Sequence, residues 1–266
     1  MTRCALVVTT HERPDALSRV LASVVQQSRP PDELIVAEDG TDAATAAAIE
    51  RFAASASCLV QHLRQPYEGF RAGRIRNAAV AATRCDYVVL LDGDMVAHPR
   101  FVEDHLALAR PGYYSQGTRI LLGREATRRL LVADGPLPRF TSAGLGGLRR
   151  AYSVRAPALA AHLRGQANAF VAVKSCNQGF WRDDLLAVNG FDEAMTGWGA
   201  EDKELCARLD NAGVRRQTLL FAAIAFHLAH TPAARTSADA NRARWLDTVR
   251  SGRRRCAVGI DGHVRH

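Results

Sequence analysis

The sequence predicts an α/β fold with a mixed, mainly parallel sheet flanked by helices, and three observations lead there. Tyr87-Val88-Val89-Leu90-Leu91 is a continuous β-prone or apolar run that ends in Asp92-Gly93-Asp94. A run of this kind, bounded by polar residues, reads as a strand buried on both faces of a parallel sheet. Upstream, strand and helix patterns alternate from residue 5 to residue 37, as in the opening of a doubly wound sheet. The chain has 266 residues and 47% hydrophobic content, enough for one sizeable core, so a single domain with a C-terminal lobe is expected.

The elements follow in order. Ala5-Leu6-Val7-Val8-Thr9-Thr10 is the first strand, and His11-Glu12-Arg13 turns into a helix opened by Pro14 or Asp15. Leu17, Val20, Leu21, Val24 and Val25 recur three and four apart on that helix, which Pro30-Pro31 ends. Leu34-Ile35-Val36-Ala37 is the second strand, reached by a right-handed crossover and followed by Glu38-Asp39-Gly40. An alanine-rich helix over 42–56 and a third strand at Cys58-Leu59-Val60 come next. Residues 69–77 form a loop turning into a helix that runs to Ala82. Beyond the 87–91 strand, a helix runs from His98-Pro99 to Ala109, and residues 117–122 are a strand. Residues 124–166 yield no element; Gly144-Leu145-Gly146-Gly147 reads as a closing loop or a plain linker. Phe170-Val171-Ala172-Val173 resumes the sheet and delivers residues 174–182, after which Asp183 or Asp184 caps a short helix. A helix from Glu201 turns Leu205, Cys206, Leu209 and Ala212 inward and ends at Gly213; residues 219–227 are the last strand. The boundaries expected are 1–123 for a first half, 124–231 for a second half of the same domain, and 232–266 for a basic tail.

Composition excludes several classes. The net charge of +8, mostly an arginine excess, favours anionic partners such as nucleotide phosphates or an acidic membrane surface. No nucleic-acid motif accompanies it, so no nucleic acid is expected. Six scattered cysteines without a CxxC pair indicate neither a zinc site nor a disulfide framework. The absence of GxGxxG argues against a dinucleotide oxidoreductase. No leader pattern precedes the first strand, and no stretch reaches the ~18 apolar residues of a membrane span. A cytoplasmic protein is therefore expected, with Arg253-Arg254-Arg255 either touching anionic lipid at the inner membrane face or solvated.

The chemistry-bearing residues cluster at strand ends, where ligands bind in such sheets. Asp92 and Asp94, two apart, would share a face of an extended chain and repel unless a hard divalent cation carrying a diphosphate lies between them. Gly93 leaves room for close approach to the backbone. Turn residues or a helix cap are the plain alternative for these acids. Arg71, Arg74, Arg76 and Asn77 at a helix start suit phosphate or ribose, or simply a solvated helix face.

With Gly197-Trp198-Gly199-Ala200-Glu201-Asp202 added to Asp92-Gly93-Asp94, the chain resembles glycosyltransferase family 2. More narrowly, it resembles the subgroup with a galactosyltransferase-type C-terminal motif, as in chondroitin polymerase domains and animal β-1,4-galactosyltransferases. The resemblance covers residues 3–231 and rests on an ordered set: 7–10, Glu38-Asp39-Gly40, Arg76-Asn77, the DxD acids, 177–182, Gly190-Phe191-Asp192-Glu193, the Gly-Trp-Gly segment and His227-Leu228-Ala229-His230.

The resemblance implies a GT-A fold, a UDP-sugar donor, manganese or magnesium, inversion at the anomeric carbon, and a saccharide or glycolipid acceptor in polysaccharide or lipopolysaccharide synthesis. It makes Asp94 and His227 metal ligands, with His230 as the alternative ligand or a phosphate contact. Asp92 with Gly93 would meet ribose or a metal-bound water. Thr9, Thr10, Arg13 and Asp39 would hold uridine, and Arg71, Arg76 and Asn77 the phosphate or uracil. Asp202 would be the base that activates the acceptor hydroxyl, kept ionised by the helix dipole. Glu201 would bond a sugar hydroxyl. Trp198, with Gly199, and Trp181 would face the acceptor, a tryptophan ring offering a stacking surface for a pyranose. Where the family carries Tyr-Asn or Phe-Asn after strand one, this chain has His11-Glu12-Arg13, and acceptor choice is expected in 124–166. A catalytically inactive nucleotide-sugar-binding protein and a nucleotidyltransferase are the competing readings.

Overall fold

The computed structural model describes residues 1–132, 137, 148–163, 173–231 and 237–264. A seven-stranded sheet forms the centre, in the order β3-β2-β1-β4-β8-β6-β9. Its parallel half comprises β1 (Cys4–Thr10), β2 (Glu33–Asp39), β3 (Leu59–Gln65) and β4 (Tyr87–Asp92). The other half is β6 (Tyr113–Gln116), β8 (Asn177–Trp181) and β9 (Arg215–Thr218), with β8 antiparallel to both β4 and β6. A second sheet holds β5 (Met95–Ala97), β10 (Ile224–His227) and β7 (Thr118–Leu121), with β10 in the middle.

Burial of both faces of the main sheet is written into the strands themselves. Leu6, Val8, Val89 and Leu91 join one core with α1 (Pro14–Val25), α4 (Phe101–Leu108) and the small sheet. Val7, Val88 and Leu90 join a second core with α3 (Ala72–Ala82), α7 (Arg182–Ala187) and α8 (Glu201–Asn211). Neighbouring residues of one strand thus serve opposite cores, as the pleat requires. Between these strands lie α2 (Ala43–Ala53) and, after β7, α5 (Arg124–Leu131) and α6 (Pro157–Leu163).

Several expectations shift. Val25 ends its helix 62% exposed rather than on the inner face, and Ala212 lies past α8 and is exposed. The third strand runs further, to Gln65, because its edge position tolerates the polar residues Gln61, His62 and Arg64. The strand expected at 117–122 is β7, residues 118–121; an unexpected strand, β6, precedes it, with Gly117 between the two and each in a different sheet. Residues 219–227 likewise contain one short strand, β10, preceded by a turn in which Phe221 and Ala223 have φ of 65° and 47°. Gly144-Leu145-Gly146-Gly147 and nearly all of the strand expected at 170–173 lie outside the described residues; the strand the structure shows next is β8. Beyond residue 236 the chain is no solvated tail. It forms α9 (Ala238–Ser251), packed on α8, and returns Cys256 and Ile260 to the core at 4% and 1% exposure.

Candidate active site

The parallel register aligns the ends of the central strands: Thr9 lies opposite Asp92, and Thr10 opposite Glu38. The chain then turns at Gly93-Asp94 from β4 into β5, so Asp92 ends a strand while Asp94 lies in the turn, and the two do not share a strand face. Gly93 is required for a reason internal to the chain. Its N–H donates to the Thr9 carbonyl at 2.7 Å, and a Cβ there would lie 2.9 Å from the Thr10 side chain. Thr10, not a ligand, is what approaches so closely.

Asp94 meets the last strand. Its carbonyl accepts from the N–H of Leu228 at 2.9 Å, and β10 pairs His227 with Met95. The outcome is a cluster in which Asp94, His227 and His230 bring one ligand atom each within 4.8 Å of one another. Asp94 Oδ2 is 3.7 Å from His227 Nε2 and 3.1 Å from His230 Nε2. The Nδ1 of His230 faces the carbonyl oxygen of Thr231 at 2.8 Å and must donate to it. A neutral His230 therefore turns an unprotonated Nε2 toward a carboxylate, two lone-pair atoms in need of a cation between them. Asp94 Oδ1 is buried without a hydrogen-bond partner among the described residues. Burial, then Asp92, pushes the Asp94 carboxyl up to about 6, while burial, then Arg119, brings His227 down to about 4. A neutral imidazole and a carboxylate held at an energetic cost are what a divalent cation repairs. One carboxylate with two imidazoles suits a divalent transition-metal ion better than magnesium, which prefers oxygen ligands.

Arg76 connects this cluster's neighbour to the acid pair. It is 3% exposed; its Nε donates to Thr9 Oγ1 at 3.1 Å and its Nη2 to Asp92 Oδ1 at 2.8 Å. Nη1 lies 3.9 Å from Glu201 Oε1 and, though buried, has no hydrogen-bond partner among the described residues. The guanidinium lies 5.5 Å from the centre of the Phe191 ring. One cation thus spans from a strand end to the first residue of α8.

The acids begin α8 after a loop with little conventional backbone: Gly197, Gly199 and Ala200 have φ of 78°, 114° and 65°. Glu201 Oε2 accepts from the Gly199 N–H at 3.2 Å. Asp202 accepts from the N–H of Lys203 at 2.8 Å and of Ser175 at 3.3 Å. The helix dipole does not hold Asp202 low. Burial raises its carboxyl above the usual range, and burial with the Asp202 charge pushes Glu201 up to about 7. Trp198 stands between the two glycines, 38% exposed.

Other expected donor residues are tied into the chain. Asp39 accepts from Gln65 Nε2 and from the Arg71 N–H, both at 2.7 Å. The Arg71 guanidinium binds the Pro66 carbonyl and Glu68. Asn77 is fully buried: both amide hydrogens go to Phe191 O and Glu193 Oε1, and its oxygen accepts from Phe191 N–H. It braces the Gly190–Glu193 segment instead of facing a donor. Arg13 precedes α1, 3.6 Å from Asp15, and its charge reaches both Asp94 and His227. Trp181 is misplaced by the sequence reading. Its register opposite Tyr87 puts it at the far edge of β4, where its N–H donates to the Arg110 carbonyl at 2.8 Å. Two cations escape a motif search: Arg119 on β7 and Lys174, whose charges act on His227, and in the case of Lys174 on Asp202. Neither stands in a recognisable pattern, since one comes from β7 and the other from the segment before β8.

Comparison with known proteins places this geometry. The profile described as "Glycosyl transferase family 2" matches residues 5–140 and that described as "N-terminal domain of galactosyltransferase" matches 161–231. Hyaluronan synthase of Pasteurella multocida is 26% identical over 223 residues, 79% of this chain and 23% of that protein. Chondroitin synthase of Escherichia coli is 25% identical, over 79% of this chain and 32% of that protein. Validoxylamine A glucosyltransferase of Streptomyces hygroscopicus subsp. limoneus is 26% identical, over 79% and 48%. The chain spans less than half the length of each of these relatives. Among solved structures, the mannosyltransferase PcManGT from Pyrobaculum calidifontis, in complex with GDP-Man and Mn2+, superposes with a TM-score of 0.61 at 15% identity, covering 92% of this chain and 62% of that one. S. aureus TarS gives 0.61 at 13% identity, over 98% and 68%. The fold is that of the GT-A glycosyltransferases.

Proposed function

The chain belongs to glycosyl transferase family 2, and on that premise we propose that it moves a hexose or N-acetylhexosamine from a UDP-sugar to a saccharide acceptor, with inversion, in polysaccharide or lipopolysaccharide assembly. The observation that carries this reading is the Arg76 bridge. It joins a strand-end acid beside the Asp94-His227-His230 cluster to the acid pair that opens α8, so both halves of a transfer reaction share one electrostatic unit.

Asp94, His227 and His230 would hold manganese, which supplies Lewis-acid stabilisation of a leaving diphosphate when bound. The chain's own residues do the rest. Asp202 takes the proton of the acceptor hydroxyl as the new oxygen–C1 bond forms and the bond from C1 to the phosphate oxygen breaks, the electron pair leaving with UDP. Two backbone N–H donors make Asp202 the better seat for the negative charge of the pair. Glu201, its carboxyl pushed up to about 7, keeps a proton part of the time and can donate to a sugar hydroxyl. Arg76 limits the repulsion between them. Trp198 offers its ring to the acceptor. Arg13, Arg119 and Lys174 supply positive charge around the departing diphosphate.

UDP release from a panel of UDP-sugars, with and without manganese, tests the reading. Metal-dependent release that rises with saccharide acceptors supports it. UDP binding without turnover favours the inactive binding protein, and pyrophosphate release from a nucleoside triphosphate favours the nucleotidyltransferase.

A further inference from the structure

The C-terminal helix α9 lies beyond both matched segments, which end at residue 231, yet it touches the most irregular part of the site. Three contacts converge there. The Asn241 amide, 3% exposed, donates to the carbonyls of Thr196 and Gly197 at 3.2 and 3.3 Å. Ser237 fills the space that a Cβ at Gly197 would occupy, and Ala238 lies 3.8 Å from the corresponding position at Gly199. Further along, the Lys203 ammonium lies 4.9 Å from the centre of the Trp245 ring. At its far end α9 makes a separate attachment, Thr248 Oγ1 donating to Glu204 Oε1 at 3.0 Å, and Glu204 is paired with Arg208 in the interior.

Gly197 and Gly199 adopt φ of 78° and 114° without strain, but φ of 65° at Ala200 is costly for a residue with a side chain. Thr196 and Gly197 stand outside any helix or strand, so their carbonyls join no ladder. Asn241 donates to both. We propose that Asn241 is a positioning residue: from outside the family-matched core, it holds the 196–200 loop in the shape that presents Trp198 and leads into Glu201 and Asp202. On this view α9 is the element through which this chain sets its acceptor-side geometry. The assignment of the loop to the acceptor rests on the function proposed above.

Hydrogen exchange on the full chain tests it, with Asn241→Ala and the near-isosteric Asn241→Asp, which cannot donate. Both variants should quicken exchange of residues 196–200 at least tenfold, while amides of α3 and β4 keep their rates. Thr248→Val removes the other attachment of the same helix; it should lower Tm yet leave 196–200 within twofold of wild type. Binding of UDP with manganese, measured by calorimetry, should stay within twofold in Asn241→Asp. Unchanged loop exchange in Asn241→Ala, or equal quickening in Thr248→Val, overturns the proposal, as does lost UDP affinity in Asn241→Asp. A wild-type chain that binds no UDP with manganese would instead remove the functional reading, and the exchange result would still decide the role of Asn241 in the loop.

Discussion

The two sides of the site are built by different means. The donor side, around Asp92, Asp94 and His227, stands on strand ends and on a turn between two sheets, its positions set by backbone ladders. The acid side, residues 196–202, stands on a loop with three positive φ angles, set by side-chain-to-backbone bonds that involve Asn241, Glu201 and Ser175 and by one backbone bond from the Gly197 N–H to the Phe70 carbonyl. A ladder shares the load over many hydrogen bonds and changes little when one side chain is altered. A loop held by a few bonds can be re-aimed by one substitution. Variation in acceptor with constancy in donor chemistry is what such a division permits.

The sharpest way to break the comparison is Asp202→Asn. The side chain stays nearly isosteric, so UDP affinity with manganese should persist while transfer falls by ~10²–10⁴, the usual worth of a positioned base. Transfer within a few-fold of wild type would move the base off Asp202; lost UDP affinity would merge the two sides into one.

Asp94→Ala works from the other side. It should leave the fold intact and weaken metal-dependent UDP binding by more than the ~10–100-fold that loss of a mere supporting partner costs. His227→Ala should weaken it more than His230→Ala, because His227 is held in β10 and is 19% exposed against 34% for His230. Calorimetry on the three variants settles the order, and a reversal would make His230 the principal ligand.

A smaller effect concerns pH. Burial raises Asp202, and burial with its neighbour's charge raises Glu201 to about 7. A base whose carboxyl is raised by burial takes up its proton at a higher pH than an ordinary aspartate, so transfer should decline on acidification before a free carboxylate would titrate. Glu201→Gln removes the neighbouring charge and should move this acidic limb to lower pH. A limb that stays in place would show that the two carboxyls titrate independently.

The mildest test is Gly93→Ala. A Cβ 2.9 Å from the Thr10 side chain should destabilise the chain by ~1–3 kcal/mol, lowering Tm by several degrees with UDP chemistry retained once folded. An unchanged Tm would mean that Thr10 yields freely and that the donor side is less rigid than its ladders imply.

Much of this architecture is legible in the sequence where short-range pattern and burial agree. The continuous apolar run before Asp92 is a central strand with no exposure from Tyr87 to Leu91, and the Leu17, Val20, Leu21, Val24 spacing faces the core. The family resemblance singles out Asp94 together with His227 and His230, which lie more than a hundred residues further on, and the three meet in one cluster. Legibility fails where partners are remote. Asn77 reads as a ligand residue from its place at a helix start, but its bonds go to Phe191 and Glu193. The resemblance makes Trp181 an acceptor contact, but antiparallel pairing carries it to the opposite edge of the sheet. The arginine-rich C-terminal segment reads as a tail, since Asn241, Thr248, Cys256 and Ile260 form no apolar stripe; they are buried singly, each against a different neighbour.

The amino-acid order by itself determined the parallel strands, the helices between them and the identity of the acids and histidines at their ends, because period and residue chemistry are local properties. Tertiary structure alone decided which of these groups meet. Strand order, the turn at Gly93, the left-handed backbone at Gly197–Ala200 and the return of α9 arise from burial and hydrogen-bond satisfaction among segments far apart in the chain. Those demands can be met only when all the segments are present together, and no local pattern records them.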